Sequence, residues 1–204
     1  MQLKEEVAII TGGCGGIGKG LAESFVAEGA QVVIASENED KLAQVARELG
    51  VDHLKTDVTK IEEVKQLIEH TMSRYGKIDI LINAAGMQVP LGPLQDVSAE
   101  AWVKTVELNL IGTMLCCKFS LPSMISNKKG EIVNFGGGWA ITPRPDFSAY
   151  ASSKAGVIRF TETSAEEVQE FSIDVNAIHP STVNTQMNED VVVAGLEMAG
   201  EAEY

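Results

Sequence analysis

Basic residues are scarce in this chain of 204 residues: 16 Lys and Arg stand against 29 Asp and Glu, a formal net charge of −13. Nucleic-acid backbones and anionic membranes are bound through clustered Lys and Arg, so the acidic balance argues against both kinds of partner. No apolar run approaches the roughly 18 residues that a membrane-spanning helix needs. The first residues lack the basic and then apolar layout of a signal peptide. We therefore expect a cytoplasmic protein with no nucleic-acid and no membrane partner.

Cysteine is also rare, with three in the chain, and histidine is equally rare. The cysteines form no Cys-x-x-Cys pair and their number is odd, so the sequence predicts neither a disulfide framework nor a metal site. Cys116 and Cys117 are adjacent within a predicted helix, where neighbouring side chains diverge in direction. We expect them to be buried small apolar side chains rather than a redox pair.

Short apolar runs alternate along the chain with longer stretches of helical period, and several of the runs are nearly continuous, as in parallel strands buried on both faces. Six such alternations predict a doubly wound parallel sheet in a three-layer α/β/α arrangement. The predicted strands are Val7–Ile10, Gln31–Ala35, Asp52–Thr56, Ile78–Asn83, Glu131–Phe135 and Ile173–His179. The predicted helices are Gly16–Glu28, Asp40–Leu49, Ile61–Tyr75, Ser98–Leu121 and Ser148–Phe171, with Ser98 as an N-cap.

A glycine-rich turn follows the first predicted strand and precedes a helix: Thr11-Gly12-Gly13-Cys14-Gly15-Gly16-Ile17-Gly18. Glycines tighten such a turn and allow a pyrophosphate to approach the backbone, while the helix N-terminus offers free N–H groups to the phosphates. The strand, turn and helix together predict a dinucleotide-binding site. A glycine turn with a purely structural role is the alternative.

The second predicted strand is followed by Ser36 and Glu37. At this place an acidic side chain hydrogen-bonds the ribose hydroxyls of an adenosine, whereas a basic side chain pairs with a 2′-phosphate. Neither position is basic, and the glycine-rich turn carries no positive charge. A carboxylate would repel a phosphate, so the sequence favours NAD over NADP. A Glu37 side chain that only faces solvent is the alternative.

Two further motifs lie at matching places: Asn83-Ala84-Ala85-Gly86 after the fourth predicted strand, and Tyr150-Ala151-Ser152-Ser153-Lys154 at the start of a helix. With the glycine-rich turn, they make the chain resemble the short-chain dehydrogenase/reductase family over residues 5–185. The resemblance implies a Rossmann fold, one NAD(P)-binding domain over residues 1–204, and hydride transfer between a nicotinamide and a secondary alcohol or ketone. It also implies a homodimer or homotetramer, paired through the two longest predicted helices.

The resemblance implies a role for each matching position. Asn109 matches an asparagine that helps to hold a water in a proton relay, Tyr150 the general acid/base, and Lys154 the lysine that binds the nicotinamide ribose. The positions that match cofactor contacts are Gly12, Cys14, Gly16, Ile17, Gly18, Ser36, Glu37, Asp57, Val58, Asn83, Ala84, Ala85, Gly86, Tyr150, Lys154, Pro180, Val183 and Thr185.

The spacing of Tyr150 and Lys154 can also be interpreted physically, without the resemblance. A tyrosine phenol titrates near 10, too high for a base at neutral pH. Residues four apart share one helix face, so the Lys154 ammonium can approach the phenol and lower its pKa. A tyrosine and a lysine on an ordinary helix surface are the alternative.

The family's catalytic serine is missing. The position thirteen before Tyr150 is Gly137, and no hydroxyl side chain occurs between Asn134 and Ala140. Loss of such a donor costs roughly 100- to 1000-fold in turnover. Three alternatives are open: the glycine backbone forms a nest that replaces the donor, Thr142 or Ser148 replaces it, or the protein binds cofactor and catalyses poorly.

The substrate side is expected at the carboxyl ends of the strands, around Met87, Gly137, Gly138 and Arg144. Arg144 either meets an acidic substrate group or lies solvated in its loop. Chains of the family continue with more of the substrate lid, a further helix and a seventh strand, so residues 185–204 are interpreted as a partial lid and an acidic tail. Without that strand, Ile173–His179 would be an exposed edge.

Three function classes follow. The first is the oxidoreductase, and the second is a nicotinamide-binding protein with little or no catalysis, suggested by Gly137. The third is an epimerase or dehydratase of the extended relatives, whose looser glycine spacing Gly12, Gly15 and Gly18 also satisfy. Those chains carry a larger substrate domain, for which this sequence has no room.

Overall fold

A computed structural model describes residues 3–180 and residue 183, with Trp139 described by its backbone alone. The interpreted lid and acidic tail, residues 185–204, lie outside the described residues, as does Thr185. The strands are β1 Val7–Thr11, β2 Gln31–Ser36, β3 Asp52–Lys55, β4 Ile80–Asn83, β5 Gly130–Phe135 and β6 Ile173–Ile178. The helices are α1 Gly16–Ala27, α2 Glu39–Leu49, α3 Ile61–Tyr75, α4 Ala99–Val106, α5 Thr113–Asn127 and α6 Ser148–Val168.

The six strands form one parallel sheet in the order β3-β2-β1-β4-β5-β6. Side chains that alternate along a strand reach opposite faces. In β1, Ala8 and Ile10 pack with Leu42 of α2, whereas Ile9 packs with Leu67 of α3. Helices therefore cover both faces, and the predicted doubly wound, three-layer Rossmann fold is confirmed.

The strand order reverses between β1 and β4, which lie side by side although the chain passes through β2 and β3 between them. Thr11 at the end of β1 is in register with Asn83 at the end of β4. The segments that leave these two strands therefore diverge from neighbouring points on the same edge of the sheet. Open α/β sheets bind their ligands in the crevice that such a reversal creates.

The predicted helix Ser98–Leu121 is longer than expected and is not uniformly α-helical. Ser98 accepts a hydrogen bond from the Ala101 N–H, as predicted for an N-cap. α4 then passes through a π-helical segment, Glu107–Gly112, into α5, which continues over Pro122 to Asn127. The predicted end at Leu121 is therefore wrong.

This continuous helix, Ala99–Asn127, is long and apolar enough to cross a membrane by length and composition alone. Its α5 part packs on the sheet through Leu115 and Met124, within the core cluster that also contains Ile9 and Ile132. Cys116 and Cys117 lie in the same cluster. Packing of this kind is the pattern of a core helix.

The remaining predicted elements differ only at their ends. β4 begins at Ile80 instead of Ile78, and a short 3₁₀ turn, Gln169–Phe171, closes the last predicted helix after Val168. β6 lies at the edge of the sheet among the described strands, as expected.

Candidate active site and nucleotide cleft

A cleft of about 270 Å³ opens where the strand order reverses. It brings together most of the residues predicted to contact the cofactor, including both sides of the glycine-rich turn and the segment after β4. Its lining residues are Gly12, Cys14, Gly15, Gly16, Ile17, Gly18, Ala35, Ser36, Glu37, Lys41, Thr56, Asp57, Val58, Ala84, Ala85, Gly86 and Leu108.

The glycine-rich turn forms one wall of the cleft because its backbone packs too closely for side chains. Gly12 has a φ of +65°, and a Cβ on it would lie 2.8 Å from the Ala84 backbone. A Cβ on Gly18 would lie 2.3 Å from the Gly12 carbonyl oxygen. α1 begins after Gly15 with no side-chain cap and no acidic residue in its first turn. These features fit a pyrophosphate, which would meet backbone N–H groups and the positive end of the helix.

The far end of the cleft contains the residues predicted for the adenosine, Ser36, Glu37, Asp57 and Val58. The Cys14 thiol is buried and donates to the Ser36 hydroxyl, Sγ to Oγ 3.1 Å. Lys41 also lines this end, and the sequence analysis missed it. The signal was present, because Lys41 lies in the first turn of the helix that follows Glu37.

Asn83 does not line the described cleft, although it was predicted among the cofactor contacts. Its side chain is 2% exposed, and the amide Nδ2 donates to the Asn134 Oδ1 at 2.9 Å on the neighbouring strand. Asn134 in turn donates to Thr161 of α6. Asn83 therefore ties β4, β5 and α6 together beneath the cleft, while Ala84, the next residue, lines it.

Tyr150 and Lys154 lie on the first turns of α6, and both are buried. The Lys154 Nζ donates to the Phe135 carbonyl oxygen at 2.7 Å and lies 5.8 Å from the centre of the Tyr150 ring. A Cβ on Gly86 would lie 3.7 Å from the same Nζ. Because Gly86 lines the cleft, the Tyr150 and Lys154 pair adjoins the end of the cleft opposite the adenosine residues.

The predicted lowering of the Tyr150 pKa by Lys154 is wrong for this structure. Burial raises the pKa of the Tyr150 phenol, and a hydrogen bond from the Gln88 side chain partly offsets that rise. The Lys154 ammonium is directed to the Phe135 carbonyl, which explains why it does not lower the phenol pKa. Burial lowers the pKa of Lys154 itself to about 8.

The Lys154 pKa predicts how stability depends on pH. The folded value is about 8 and the ordinary value is 10.5, so between them the unfolded chain binds the extra proton. The free energy of unfolding should therefore rise with pH across this window, by up to about 1.4 kcal/mol per pH unit from this one group. Urea unfolding at several pH values should show this slope in the wild type and not in Lys154→Met. Equal slopes in both proteins would contradict the burial of a titrating ammonium.

Asn109 lies in the π-helical segment and is fully buried. Its Oδ1 accepts from the Met87 N–H, and its Nδ2 donates to the Met87 carbonyl and to the Ser153 hydroxyl, each at 2.9 Å. The side chain therefore fixes the loop after β4 to α6. Its predicted part in a proton relay stays a prediction.

Gly137 faces the phenol, since a Cβ on it would lie 3.1 Å from the Tyr150 Oη. Its backbone is extended, with φ 173° and ψ 148°, so successive N–H groups diverge and the proposed backbone nest does not form. The Ser148 hydroxyl accepts from the Trp102 indole N–H, and Thr142 is exposed. The sequence analysis missed Gln88, whose side chain lowers the pKa of the phenol.

The other predicted substrate residues are spread around this end. Gly138 packs against the imidazole of His179, and the Arg144 guanidinium lies 5.0 Å from the centre of the Phe147 ring, half-buried. Pro180 and Val183 follow β6 and do not line the described cleft. The contact of Arg144 with an acidic substrate stays a prediction.

The two adjacent cysteines are inert, as expected. Both are buried and free, burial raises the pKa of Cys116 strongly, and it raises that of Cys117 to about 12. Neither thiol would form a thiolate near neutral pH, and the Cys117 Sγ accepts a hydrogen bond from the Asn83 amide. The two cysteines therefore contribute to the packing of the core beneath the candidate site.

Comparisons with known proteins agree with this architecture. The chain is 36% identical over 204 residues to the 3-oxoacyl-(acyl-carrier-protein) reductase FabG of Thermotoga maritima, covering 98% of this chain and 82% of the relative. It is 35% identical over 189 residues to an NAD-dependent glycerol dehydrogenase of Listeria innocua, covering 91% and 74%. The crystal structure of an NAD⁺-bound xylitol dehydrogenase superposes with a TM-score of 0.84 at 31% identity, covering 88% of this chain and 71% of that one. A sequence profile of the short chain dehydrogenases matches residues 6–194, so the chain belongs to the short-chain dehydrogenase/reductase family.

Proposed function

We propose that the chain transfers a hydride between a nicotinamide cofactor, preferably NAD, and a secondary alcohol or ketone. The observation that carries the proposal is the position of Lys154 and Tyr150 at the end of the glycine-lined cleft. Gly86 lines the cleft at this end, and a Cβ on it would lie 3.7 Å from the Lys154 Nζ. Glu37 and Gly86 both line the cleft, and in this proposal the adenosine lies at Glu37 and the nicotinamide at Gly86. Membership of an oxidoreductase family supports the same reaction class.

Different residues of the chain have different roles in this mechanism. The nicotinamide supplies or accepts the hydride when it is bound. In the reductive direction Tyr150 gives its phenolic proton to the substrate oxygen, and in the oxidative direction its phenolate takes that proton back. Lys154 would hold the nicotinamide ribose at the Gly86 end. Burial of Tyr150 excludes water from the proton that is exchanged.

Binding and turnover test the proposal separately. NADH and NADPH are titrated into the purified chain while the nicotinamide fluorescence is followed, and the oxidation of glycerol, xylitol and L-fucose is assayed with NAD⁺. These substrates are taken from the names of three similar proteins, which are a glycerol dehydrogenase, a xylitol dehydrogenase and an L-fucose dehydrogenase. Saturable NADH binding with Tyr150-dependent turnover is expected. Binding of neither cofactor would overturn the proposal.

The preference for NAD depends on the balance between Glu37 and Lys41 at the adenosine end. A 2′-phosphate there would be repelled by the carboxylate and attracted by the ammonium. Glu37→Gln should strengthen NADPH binding by about fivefold, for a charge interaction of about 1 kcal/mol near the surface. Lys41→Gln is the matched control, and it should weaken NADPH and leave NADH unchanged in the same fluorescence titration. Unchanged NADPH affinity in Glu37→Gln would remove the carboxylate as the selector.

A second candidate function is suggested by Gly137, which faces the phenol where the family has its serine. In this case the chain binds the nicotinamide but catalyses poorly. Gly137→Ser discriminates between the two, with the polyol assay as the measurement. A gain of about 100-fold or more in turnover would favour the second candidate, since one donor is worth that much. A small change would favour a site that already has another donor.

We further propose a cytoplasmic homodimer or homotetramer that pairs through Ala99–Asn127 and α6. Val103 and Ile111 are exposed apolar residues on the first of these helices, with 50% and 39% of their surface accessible. Burial of apolar surface is the main driving force for such an association. Sedimentation of the wild type and of a Val103→Asp variant tests this arrangement.

A further inference from the structure

The loop after β4 is hydrogen-bonded at two points to the long helix that follows it. Asn109, in the π-helical segment, binds both the N–H and the carbonyl of Met87 through its amide, at 2.9 Å each. Thr105, on α4, donates its hydroxyl to the Val89 carbonyl. Both side chains are fully buried. We call Thr105 and Asn109 together the loop clamp, since they hold the loop at alternate residues.

The spacing of the two clamp residues matches the spacing of the loop residues that they bind. Four residues advance about 6 Å along a helix, and two residues of an extended chain advance about 6.6 Å. Asn109 binds Met87 and Thr105 binds Val89, so the loop runs against the direction of the helix. The clamp therefore fits an extended stretch of backbone.

The Thr105 hydroxyl has one proton and two carbonyl acceptors within reach, those of Val89 and of Ala101, the second at 3.1 Å. The Ala101 carbonyl lies four residues earlier in α4, where any helical threonine finds an acceptor. Thr71 of α3 shows this ordinary pattern, because it is fully buried and donates to the Leu67 carbonyl at 2.9 Å. The loop carbonyl is what distinguishes Thr105 from Thr71.

The clamped loop leads from the nucleotide cleft to the expected substrate side. Before the clamp, the Ala85 N–H donates to the Thr11 hydroxyl of β1 at 3.3 Å, which anchors the part of the loop that lines the cleft. After the clamp, the Gly92 N–H donates to the Asp146 carbonyl at 2.9 Å. Asp146 belongs to the segment between β5 and α6, which also contains Gly137. The cleft part and the clamped part of the loop therefore have separate anchors.

The clamped residues present apolar side chains. Val89 is 43% exposed although its carbonyl is bound to the buried Thr105, and Met87 is half-buried. A wall that is ordered before the substrate arrives avoids the entropy loss of ordering it during binding. The clamp therefore favours substrate binding through preorganisation.

We infer that Thr105 is a positioning residue for the substrate, whose hydroxyl keeps residues 87–89 in place before the substrate binds. The inference rests on the proposed function. Without the hydroxyl, ordering of the loop would oppose substrate binding. The loop is needed equally by the bound substrate and by the transition state, so its loss should raise KM and leave kcat unchanged. The cofactor should be unaffected, because Thr11 anchors its part of the loop.

The test removes the hydroxyl and keeps the shape of the side chain. Thr105→Val should raise KM by about tenfold for the polyol that the wild type oxidises fastest, the effect of one lost hydrogen bond. Its kcat and its dissociation constant for NADH should change by less than about twofold. Thr105→Ser keeps the hydroxyl, and its KM should return to within about twofold of the wild-type value.

Thr71→Val is the matched control. It makes the same change at an equally buried threonine that donates within its own helix, and α3 does not line the cleft. Its KM and kcat should equal those of the wild type. An equal rise of KM in Thr71→Val, or a fall of kcat in Thr105→Val as large as the rise of KM, would overturn the inference.

A measurement without substrate separates this inference from the proposed function. The Met87 N–H is bound by Asn109, so its hydrogen exchange, followed by mass spectrometry of peptides that contain Met87, reports opening of the loop. Exchange should be about tenfold faster in Thr105→Val and unchanged in Thr71→Val. Unchanged exchange in Thr105→Val would overturn this inference and leave the proposed function standing. Faster exchange without polyol turnover by the wild type would overturn the proposed function, and the substrate role of Thr105 with it.

Discussion

Tyr150→Phe is expected to lower turnover by about 1000-fold while the affinity for NADH changes by less than about twofold. The substitution removes the phenolic proton and leaves the buried ring, which is 9% exposed, in its packing site. The hydrogen bond of Lys154 to the Phe135 carbonyl does not involve the phenol, so the lysine should stay in place. The measurements are kcat with the fastest polyol and the dissociation constant of NADH by fluorescence.

Tyr75→Phe is the matched control for this substitution. Tyr75 ends α3 beside Arg74 and does not line the cleft, and its phenol accepts a hydrogen bond from the Arg74 side chain. Turnover in this variant should equal that of the wild type. Wild-type turnover in Tyr150→Phe would remove Tyr150 from the mechanism, and loss of NADH binding would mean that the phenol supports the fold of the site.

The parallel pairing of the strands could be predicted because the local signals agree with the final packing. β1 and β2 read as nearly continuous apolar runs, and every residue of β1 is buried. The end of the fourth predicted helix could not be predicted in the same way. Continuation through Pro122 to Asn127 depends on the packing of α5 against the sheet, where Met124 is fully buried. That contact is a tertiary one, so the local sequence pattern does not predict it.

Most of the cleft residues were predictable because they lie in short segments that follow the predicted strands. The glycine-rich turn and the Ala84–Gly86 segment both line the cleft as expected. Lys41 was missed because it lies in the first turn of α2, beyond the strand end at which the ribose contact is expected. Gln88 was missed for a different reason: its partner Tyr150 lies far away in the sequence, and no motif links the two.

The electrostatics of the Tyr150 and Lys154 pair illustrate the same limit. A four-residue spacing on a helix brings Lys154 and Tyr150 to one face, and the structure has them there. The spacing says nothing of how deeply the face is buried or of the Phe135 carbonyl that binds the ammonium. Burial raises the phenol pKa, which reverses the predicted direction. The sign of a pKa shift thus follows from the tertiary environment.

Gly18→Ala is expected to abolish tight NADH binding, with a loss of affinity of about 100-fold, and to lower the free energy of unfolding by about 1–3 kcal/mol. The new methyl group would lie 2.3 Å from the Gly12 carbonyl oxygen and 2.9 Å from the Gly13 Cα. Both are backbone atoms, so no side-chain rotation relieves the contact. The turn must move away from α1, and the N–H groups that would meet the pyrophosphate move with it. NADH titration and urea unfolding measure the two effects.

Gly20→Ala, one half-turn further along α1, separates this steric effect from the general effect of alanine in a helix. A Cβ on Gly20 meets nothing within 4 Å. Alanine there should raise the free energy of unfolding by about 0.4–1 kcal/mol, because it restricts the unfolded chain and favours the helix. NADH affinity should stay at the wild-type value. If Gly18→Ala binds NADH as well as Gly20→Ala does, the glycine-rich turn is a structural turn, and the cleft must hold its nucleotide by other groups.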